Sequence, residues 1–237
     1  MTPSSPTAYA VIGHPVAHSQ SPFIHAAFAA QTGEPVVYDR IDCGPQGFVS
    51  AVRDFAARGA GGCNITVPFK FDALRMARQA TDRARLAGAA NILRFDGADD
   101  WLADNTDGSG LLRDIQVNEQ WPLAGRRVLL AGAGGAASGV LGPLLQARPA
   151  AVVVVNRSAE RAQALVDRHR SLAAEQEVTL ELAPLEQPGQ AFDVVINATA
   201  SSLQATLLPL PDTVLHPGSL AVDLMYGAAA RPFLAWA

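Results

Sequence analysis

The chain has 237 residues, of which 49% are hydrophobic and 17% charged, and its formal net charge is −4 at pH 7. This length and composition favour one large or two modest globular domains, and the scattered Lys and Arg residues argue against a basic face for nucleic acid. No apolar run approaches the roughly 20 residues of a membrane-spanning helix, and residues 1–6 do not resemble a signal peptide, so we expect a cytoplasmic protein without a membrane partner.

Alternating apolar and amphipathic segments predict an α/β domain over residues 1–106. The predicted strands cover residues 9–12, 36–41, 63–67, 91–95 and 101–103. The predicted helices cover residues 22–31, 48–57, 72–80 and 82–86. The last two strands flank a polar turn, which is typical of a β-hairpin.

The remaining residues, 107–237, predict a Rossmann-like domain that begins with a connector helix from Asp107 through Val117. Unbroken apolar strands such as residues 151–155 are typical of a parallel sheet. The predicted strands cover residues 128–131, 151–155, 178–182, 193–197 and 220–224. The predicted helices cover residues 159–169 and residues 136–146, the latter interrupted by Gly139, Gly142 and Pro143.

Few residues suggest a metal or a disulfide. Cys43 and Cys63 lie in different predicted elements and make no CxxC pair. His14 and His18 lie in a loop without a cysteine or acidic ligand nearby. We therefore expect neither a metal site nor a disulfide.

A glycine-rich GxGxxA pattern follows the predicted strand at residues 128–131 directly and opens a helix. Glycine at 132 permits a tight turn, and glycine at 134 lets the backbone approach a pyrophosphate. Free amides at the helix N-terminus stabilise the phosphate charge. Because a buried strand precedes this turn and a βαβ unit follows it, we favour dinucleotide binding over a turn retained for packing alone.

The end of the next strand decides which dinucleotide is preferred. An NAD-specific fold usually has an acidic residue there, whereas this chain has Asn156-Arg157-Ser158 and, one helical turn later, Arg161. Guanidinium groups suit a 2′-phosphate, so the pattern favours NADP. The alternative is that both arginines are solvated at the start of a surface helix.

Three polar clusters in the first half have both a functional and a structural interpretation. Ser19 and Ser21 precede a proline and would cap the following helix. Lys70 follows a buried strand, where a lysine is usually solvated. Asp107 begins a predicted helix, where a carboxylate is stabilised without any catalytic role. Singly, none of these clusters identifies a site.

Together, these segments closely resemble the shikimate dehydrogenase family. The resemblance follows the family's order along nearly the whole chain, through the motifs at residues 11–15, 18–22, 64–70, 88–91, 104–108, 132–137, 156–158, 196–199 and 223–226. It implies a substrate domain followed by an NADP-binding domain. It also implies reversible NADPH-dependent reduction of 3-dehydroshikimate to shikimate, a step of chorismate and aromatic amino-acid biosynthesis.

The resemblance also implies residue roles. The catalytic pair would be Lys70 and Asp107, since hydride addition creates an alkoxide that a cation stabilises. The substrate contacts would be Ser19, Ser21, Thr66, Asn91 and Tyr226. The cofactor contacts would be Gly132, Ala133, Gly134, Gly135, Ala136, Asn156, Arg157, Ser158, Arg161, Thr199 and Leu224.

Two alternatives remain open from the sequence: an NAD-using quinate/shikimate dehydrogenase, and a catalytically weak NADP-binding paralogue. Ser202 stands where the family commonly has a glycine. Family members continue beyond the position of Ala237 into helices that return to the first domain. We therefore expect cofactor binding with poor turnover, and exposed Phe233 and Trp236 side chains. A monomer or a homodimer is expected.

Overall fold

The computed structural model describes residues 5–97, 100–201 and 208–237. The chain divides into two compact units, Met1–Thr106 and Asp107–Ala237. Each unit is built on its own β-sheet. Ser202 lies outside the described residues.

The first unit contains a six-stranded mixed sheet. Its strands are β1 (Thr7–Gly13), β2 (Val36–Asp42), β3 (Gly62–Ile65), β4 (Gln79–Ala80), β5 (Ile92–Phe95) and β6 (Trp101–Asp104). Its helices are α1 (Ser21–Thr32), α2 (Phe48–Ala57), α3 (Lys70–Met76) and α4 (Asp82–Ala87). The strand order is β2-β1-β3-β5-β6-β4, so β2 lies at one edge. β1 is parallel to β2 and β3, whereas β5 is antiparallel to β3 and β6.

The predicted hairpin of β5 and β6 is present, with Phe95 opposite Trp101. The predicted helix over residues 72–80 is wrong at its end, because α3 stops at Met76 and β4 pairs in parallel with β6. Ala77 has an extended backbone, and the Thr81 hydroxyl accepts a hydrogen bond from the Ala84 amide to cap the next helix. The first of the two predicted helices therefore ran past the end of α3 into the short strand β4.

The second unit contains a five-stranded sheet. Its strands are β7 (Arg127–Ala131), β8 (Ala151–Val155), β9 (Thr179–Ala183), β10 (Val194–Asn197) and β11 (Leu220–Asp223). Its α-helices are α5 (Asp107–Arg113), α6 (Gly135–Gln146), α7 (Ala159–Glu175) and α8 (Arg231–Trp236). The order is β11-β10-β7-β8-β9, and every pairing is parallel. This is a doubly wound Rossmann-like sheet, and its order reverses between β7 and β10, where such folds bind ligands at the carboxyl ends of the strands.

The central strands are apolar throughout because both faces of this sheet are covered. In β7, Val128 and Leu130 belong to the hydrophobic core on one face, whereas Leu129 and Ala131 belong to the core on the other. Successive side chains of a strand point to opposite faces, so an unbroken apolar run fills both cores. The predicted parallel sheet is confirmed.

Helices α6 and α7 are longer and more regular than predicted. α6 runs without interruption from Gly135 to Gln146 with Pro143 inside it. Its small residues serve packing: a Cβ added to Gly108 of α5 would lie 2.4 Å from Pro143 Cγ and 2.7 Å from the Gly139 carbonyl oxygen. α7 extends past the predicted end at residue 169, because buried His169 and Ala173 continue its inner face at helical spacing.

The predicted exposure of the aromatic residues in α8 is wrong. Phe233 is only 3% exposed and belongs to one of the cores of this unit. The Trp236 ring packs against Phe233 with 5.5 Å between centroids, and its Nε1 donates a hydrogen bond to Asp212 at 3.0 Å. Leu234, by contrast, is 53% exposed.

Candidate functional site

The glycine-rich turn between β7 and α6 begins at Gly132, which backbone contacts fix in place. The Gly132 amide donates to the Val155 carbonyl oxygen at 2.8 Å. Gly132 has a φ of +124°, and a Cβ there would lie 2.9 Å from the Ala198 carbonyl oxygen. Glycine is therefore required at 132 by the turn and by the neighbouring loop.

Gly134 is different, because nothing in the protein lies within 4 Å of where its Cβ would be. Its backbone is extended, with φ −88° and ψ −173°, a conformation open to other residues. The missing side chain therefore leaves open space in front of the first turn of α6. The first amides of a helix lack intrahelical partners, and they attract anions. Ala133, Gly135 and Ala136 complete a turn that fits a dinucleotide phosphate.

This contrast predicts that alanine at position 132 lowers mainly stability, whereas alanine at position 134 lowers mainly cofactor affinity. Gly132→Ala should lower the free energy of unfolding by about 1–3 kcal/mol, since it combines a strained φ with overpacking. Gly134→Ala should change stability by less than about 1 kcal/mol, the cost of a poorer N-cap residue, yet weaken NADP binding at least ~10-fold by filling the open space. Denaturant unfolding and cofactor titration of both variants check this. Unchanged NADP affinity in Gly134→Ala would contradict it.

At the end of β8, Asn156 and Ser158 shape the start of α7. The Asn156 Nδ2 donates to the Ser158 carbonyl oxygen at 2.9 Å, and the Ser158 hydroxyl caps α7 by accepting from the Arg161 amide at 3.4 Å. The side chains of Arg157 and Arg161 are exposed, and neither makes a hydrogen bond or ion pair with any residue that the structure describes. Two guanidinium groups able to bind an anion therefore lie beside the strand that adjoins β7.

The loops after β10 and β11 are tied to each other. The Thr199 hydroxyl donates to Asn197 Oδ1 at 2.8 Å, and Asn197 Nδ2 donates to Asp223 Oδ2 at 3.0 Å. Leu224 is half-buried and packs against the core of this unit. Tyr226 is 50% exposed and lines an open groove of about 390 Å³ together with Asp223. Thr199 thus follows β10, which pairs with β7, whereas Leu224 follows the edge strand β11.

In the first unit, Ser19 and Ser21 lie where β1 leads into α1. Ser19 is 7% exposed, and its hydroxyl donates to the Ser21 hydroxyl at 3.0 Å. The Ser19 hydroxyl oxygen also accepts from the Ser21 amide at 3.2 Å, whereas the N-cap residue Gln20 makes no side-chain capping bond. Part of the predicted capping role is therefore present, and two hydroxyl groups remain side by side.

Thr66 and Lys70 follow β3. The Thr66 amide donates to the Ile12 carbonyl oxygen at 3.0 Å, and a Cβ on Gly13 would lie 2.3 Å from Thr66 Cγ2, so Gly13 leaves room for that side chain. Lys70 is half-buried and is the first residue of α3, with its carbonyl oxygen accepting from the Ala90 amide at 2.8 Å. Thr66 and Lys70 therefore lie on one short connection.

Asn91 is joined to Thr106 by a reciprocal pair of hydrogen bonds. The Asn91 Nδ2 donates to the Thr106 hydroxyl at 3.1 Å, and the Thr106 amide donates to Asn91 Oδ1 at 2.9 Å. Thr106 is the last residue of the first unit. Asp107, the first residue of α5 in the second unit, is half-buried.

Asp104, in the same turn motif, has a structural role. The Arg83 guanidinium donates to it from Nε at 2.7 Å, and the Thr81 hydroxyl donates at 2.6 Å. The Arg83 hydrogen bond is the main cause that lowers the pKa of Asp104 to about 2, so this carboxylate stays ionised at neutral pH. The Arg83 guanidinium therefore balances the negative charge of Asp104.

Sequence reasoning did not identify Arg40, which holds the loop that carries Ser19 and Ser21, here called the serine loop. The Arg40 Nε and Nη2 both donate to the Ser19 carbonyl oxygen, at 2.8 and 2.6 Å. The Tyr38 hydroxyl donates to Asn64 Oδ1 at 2.6 Å. Tyr38 and Arg40 are two residues apart on β2 and so face the same side of the strand. The two-residue spacing of these side chains on a predicted strand was the sequence feature that could have indicated a shared face.

The described residues contain no group of three or more His, Cys, Asp or Glu side chains placed to hold a metal ion. In the same parts of the chain, no helix is both long and apolar enough to cross a membrane.

Comparison with known proteins agrees with this geometry. Residues 11–93 match the family model for the shikimate dehydrogenase substrate binding domain, and residues 116–207 match that for shikimate / quinate 5-dehydrogenase. A shikimate dehydrogenase (NADP(+)) of Paracidovorax citrulli (strain AAC00-1) is 57% identical over 236 residues, covering 100% of this chain and 84% of the relative.

Two crystal structures are similar over the same length. An Ael1 enzyme from Pseudomonas putida is 44% identical with a TM-score of 0.84, covering 97% of this chain and 83% of that chain. Shikimate 5-dehydrogenase from Thermus thermophilus in complex with NADP(H) and shikimate is 28% identical with a TM-score of 0.77, covering 97% of this chain and 89% of that chain. Both family models and these relatives lead to one conclusion: the chain belongs to the shikimate dehydrogenase family.

Proposed function

We propose that this chain is an NADP-dependent shikimate dehydrogenase, which reversibly reduces 3-dehydroshikimate to shikimate for chorismate and aromatic amino-acid biosynthesis. The observation that carries the proposal is the 57% identity, over the whole chain, to a relative named shikimate dehydrogenase (NADP(+)). The open space at Gly134 and the two exposed arginines after β8 support the choice of cofactor.

The second unit would hold NADP. The turn from Gly132 to Ala136 would bind the pyrophosphate through backbone amides, and Arg157 and Arg161 would bind the 2′-phosphate. Thr199 and Leu224, which follow β10 and β11, would contact the cofactor as well. Asn156 and Ser158 set the backbone that presents the two arginines, since they hydrogen-bond within the first turn of α7. The nicotinamide, when bound, donates or accepts the hydride.

The substrate would be held by neutral side chains. Ser19 and Ser21 would donate hydrogen bonds to its carboxylate without adding a net charge near the reacting carbon, while Thr66, Asn91 and Tyr226 would contact the carboxylate or the ring hydroxyls. Hydroxyl and amide groups can both donate and accept, as a polyhydroxylated acid requires.

Lys70 and Asp107 would carry the chemistry. Reduction of a ketone places negative charge on the carbonyl oxygen, and the Lys70 ammonium would stabilise this charge and deliver the proton. In the reverse direction, the Lys70 amine would accept the hydroxyl proton. Asp107 would accept a hydrogen bond from a substrate hydroxyl and thereby orient the ring.

The direct test is product identification. The chain is incubated with 3-dehydroshikimate and NADPH, and the product is identified by mass spectrometry and NMR. Shikimate formed in proportion to the NADPH consumed is the expected result, whereas no NADPH consumption would refute the proposal. We further propose that the enzyme acts in the cytoplasm as a monomer or homodimer, which light scattering and cell fractionation would test.

A further inference from the structure

We propose that Arg40 is a positioning residue for the substrate carboxylate, acting through the backbone carbonyl group of Ser19. This inference rests on the proposed function, in which Ser19 and Ser21 bind that carboxylate. It assigns a role in substrate binding to a residue of the edge strand β2 that acts without contacting the substrate itself.

The Arg40 side chain holds the Ser19 carbonyl oxygen with two of its donors. Nε lies 2.8 Å and Nη2 lies 2.6 Å from that oxygen. Hydrogen bonds from a charged donor are stronger than neutral ones, and the planar guanidinium holds its N–H groups in a fixed arrangement. Within the described ranges, the Arg40 guanidinium forms no ion pair with a carboxylate. The contact with Ser19 is therefore what orients this side chain.

Ser19 is held through both of its peptide groups. Its amide donates to the Val16 carbonyl oxygen at 3.0 Å, and its carbonyl oxygen accepts from Arg40. The backbone of residue 19 is thereby fixed, and with it the direction of the Ser19 side chain. The Ser19 hydroxyl donates to the Ser21 hydroxyl at 3.0 Å and accepts from the Ser21 amide at 3.2 Å. Arg40 thus positions the Ser19 hydroxyl through the backbone, and the Ser21 hydroxyl through that of Ser19.

The same face of β2 also holds the start of the serine loop. Asp42 lies two residues after Arg40, so both side chains are on one side of the strand. His14, the first residue after β1, donates from Nδ1 to Asp42 Oδ1 at 2.7 Å. β2 therefore fixes the loop at His14 and again at Ser19. A preorganised pair of donors binds a carboxylate more tightly than a mobile pair, because less freedom is lost on binding.

The test is a double-mutant cycle of Arg40→Met and Ser19→Ala in the full chain. Arg40→Met removes the guanidinium and retains an unbranched side chain, whereas Ser19→Ala retains the carbonyl group that Arg40 holds. We expect Arg40→Met to raise the KM and the Kd for shikimate by roughly three- to thirty-fold. This is less than the full worth of two charge-assisted hydrogen bonds, because the Arg40 side chain is exposed.

The other kinetic constants separate positioning from a general loss of structure. The kcat and the KM for NADP should stay within about two-fold of wild type, because Arg40 acts on substrate binding alone. In the Ser19→Ala background, Arg40→Met should raise the KM for shikimate by no more than about two-fold, because the hydroxyl that it positions is already absent. Should Arg40→Met fail to fold, Arg40→Gln is judged by the same criteria.

Arg94→Met is the matched control. Arg94 lies on β5 of the same sheet, its side chain is 62% exposed, and it pairs with Asp96. The control removes the same charge and should leave the KM for shikimate unchanged. An unchanged KM in Arg40→Met, an equal rise in Arg94→Met, an accompanying loss of kcat, or a full additional effect in the Ser19→Ala background would each overturn the inference. A wild-type chain that neither binds nor oxidises shikimate would instead refute the proposed function, and this inference with it.

Discussion

Replacing Lys70 with alanine is expected to lower kcat by about two to four orders of magnitude, the range typical of losing general acid–base assistance. Without the ammonium, the developing alkoxide has no cation to stabilise it and no adjacent proton donor. The fold should survive, because the hydrogen bond of residue 70 to the Ala90 amide uses the backbone carbonyl and alanine is a good helix former. Cofactor affinity should also survive, since the residues proposed to bind NADP belong to the second unit.

Steady-state kinetics with shikimate and NADP, together with fluorescence titration of NADPH, measure both quantities. Arg75→Ala is the matched control, because it removes a cation from the same helix at a side chain that is 69% exposed and paired with Asp72. Its kcat should match that of wild type. A Lys70→Ala variant with kcat within about three-fold of wild type would show that the catalytic assignment is wrong, since loss of such assistance costs far more.

Removing both Arg157 and Arg161 is expected to weaken NADPH binding strongly and NADH binding little. Only NADPH carries the 2′-phosphate, and each lost charged hydrogen bond costs about 1.5–3 kcal/mol. A single alanine variant should therefore lose roughly 10- to 150-fold in NADPH affinity, and the double variant more. The cap of α7 should persist, because the Ser158 hydroxyl bonds to the backbone amide of residue 161 rather than to its side chain.

Titration of each variant with both cofactors measures this selectivity. Arg170→Ala is the control from the same helix, since its guanidinium is 65% exposed and paired with Asp167. It should bind NADPH as wild type does. If the double variant lost NADPH and NADH affinity to the same extent, the 2′-phosphate would have to bind elsewhere.

Much of the fold was predictable because local pattern and burial agree. β8 and α2 have the predicted bounds, since the former is a purely apolar run and the latter a regular amphipathic helix closed by glycine. Prediction was wrong where tertiary contacts override the local pattern. α7 continues past residue 169, where His169, a polar residue by type, is fully buried. α6 continues through Pro143, which packs closely against Gly108 of α5.

The glycine-rich turn and the arginines after β8 were predictable because their chemistry is contiguous in sequence. The role of Arg40 in holding the serine loop was not predictable, because it depends on a contact between distant segments. Arg40 reaches the Ser19 carbonyl oxygen across 21 positions only when β2 pairs with β1 and α1 lies against β2. The burial of Phe233 was not predicted, because its neighbours in the core come from distant segments of the chain.

The measurement that tests the central claim most directly is a comparison of kcat/KM for the unmodified chain with shikimate and quinate, each assayed with NADP and with NAD. Shikimate with NADP should give the highest value. It should exceed shikimate with NAD by at least ~10-fold, because the 2′-phosphate adds charged hydrogen bonds at Arg157 and Arg161. A chain that oxidised quinate with NAD more efficiently, or that reduced no NADP in the presence of shikimate, would contradict the assignment.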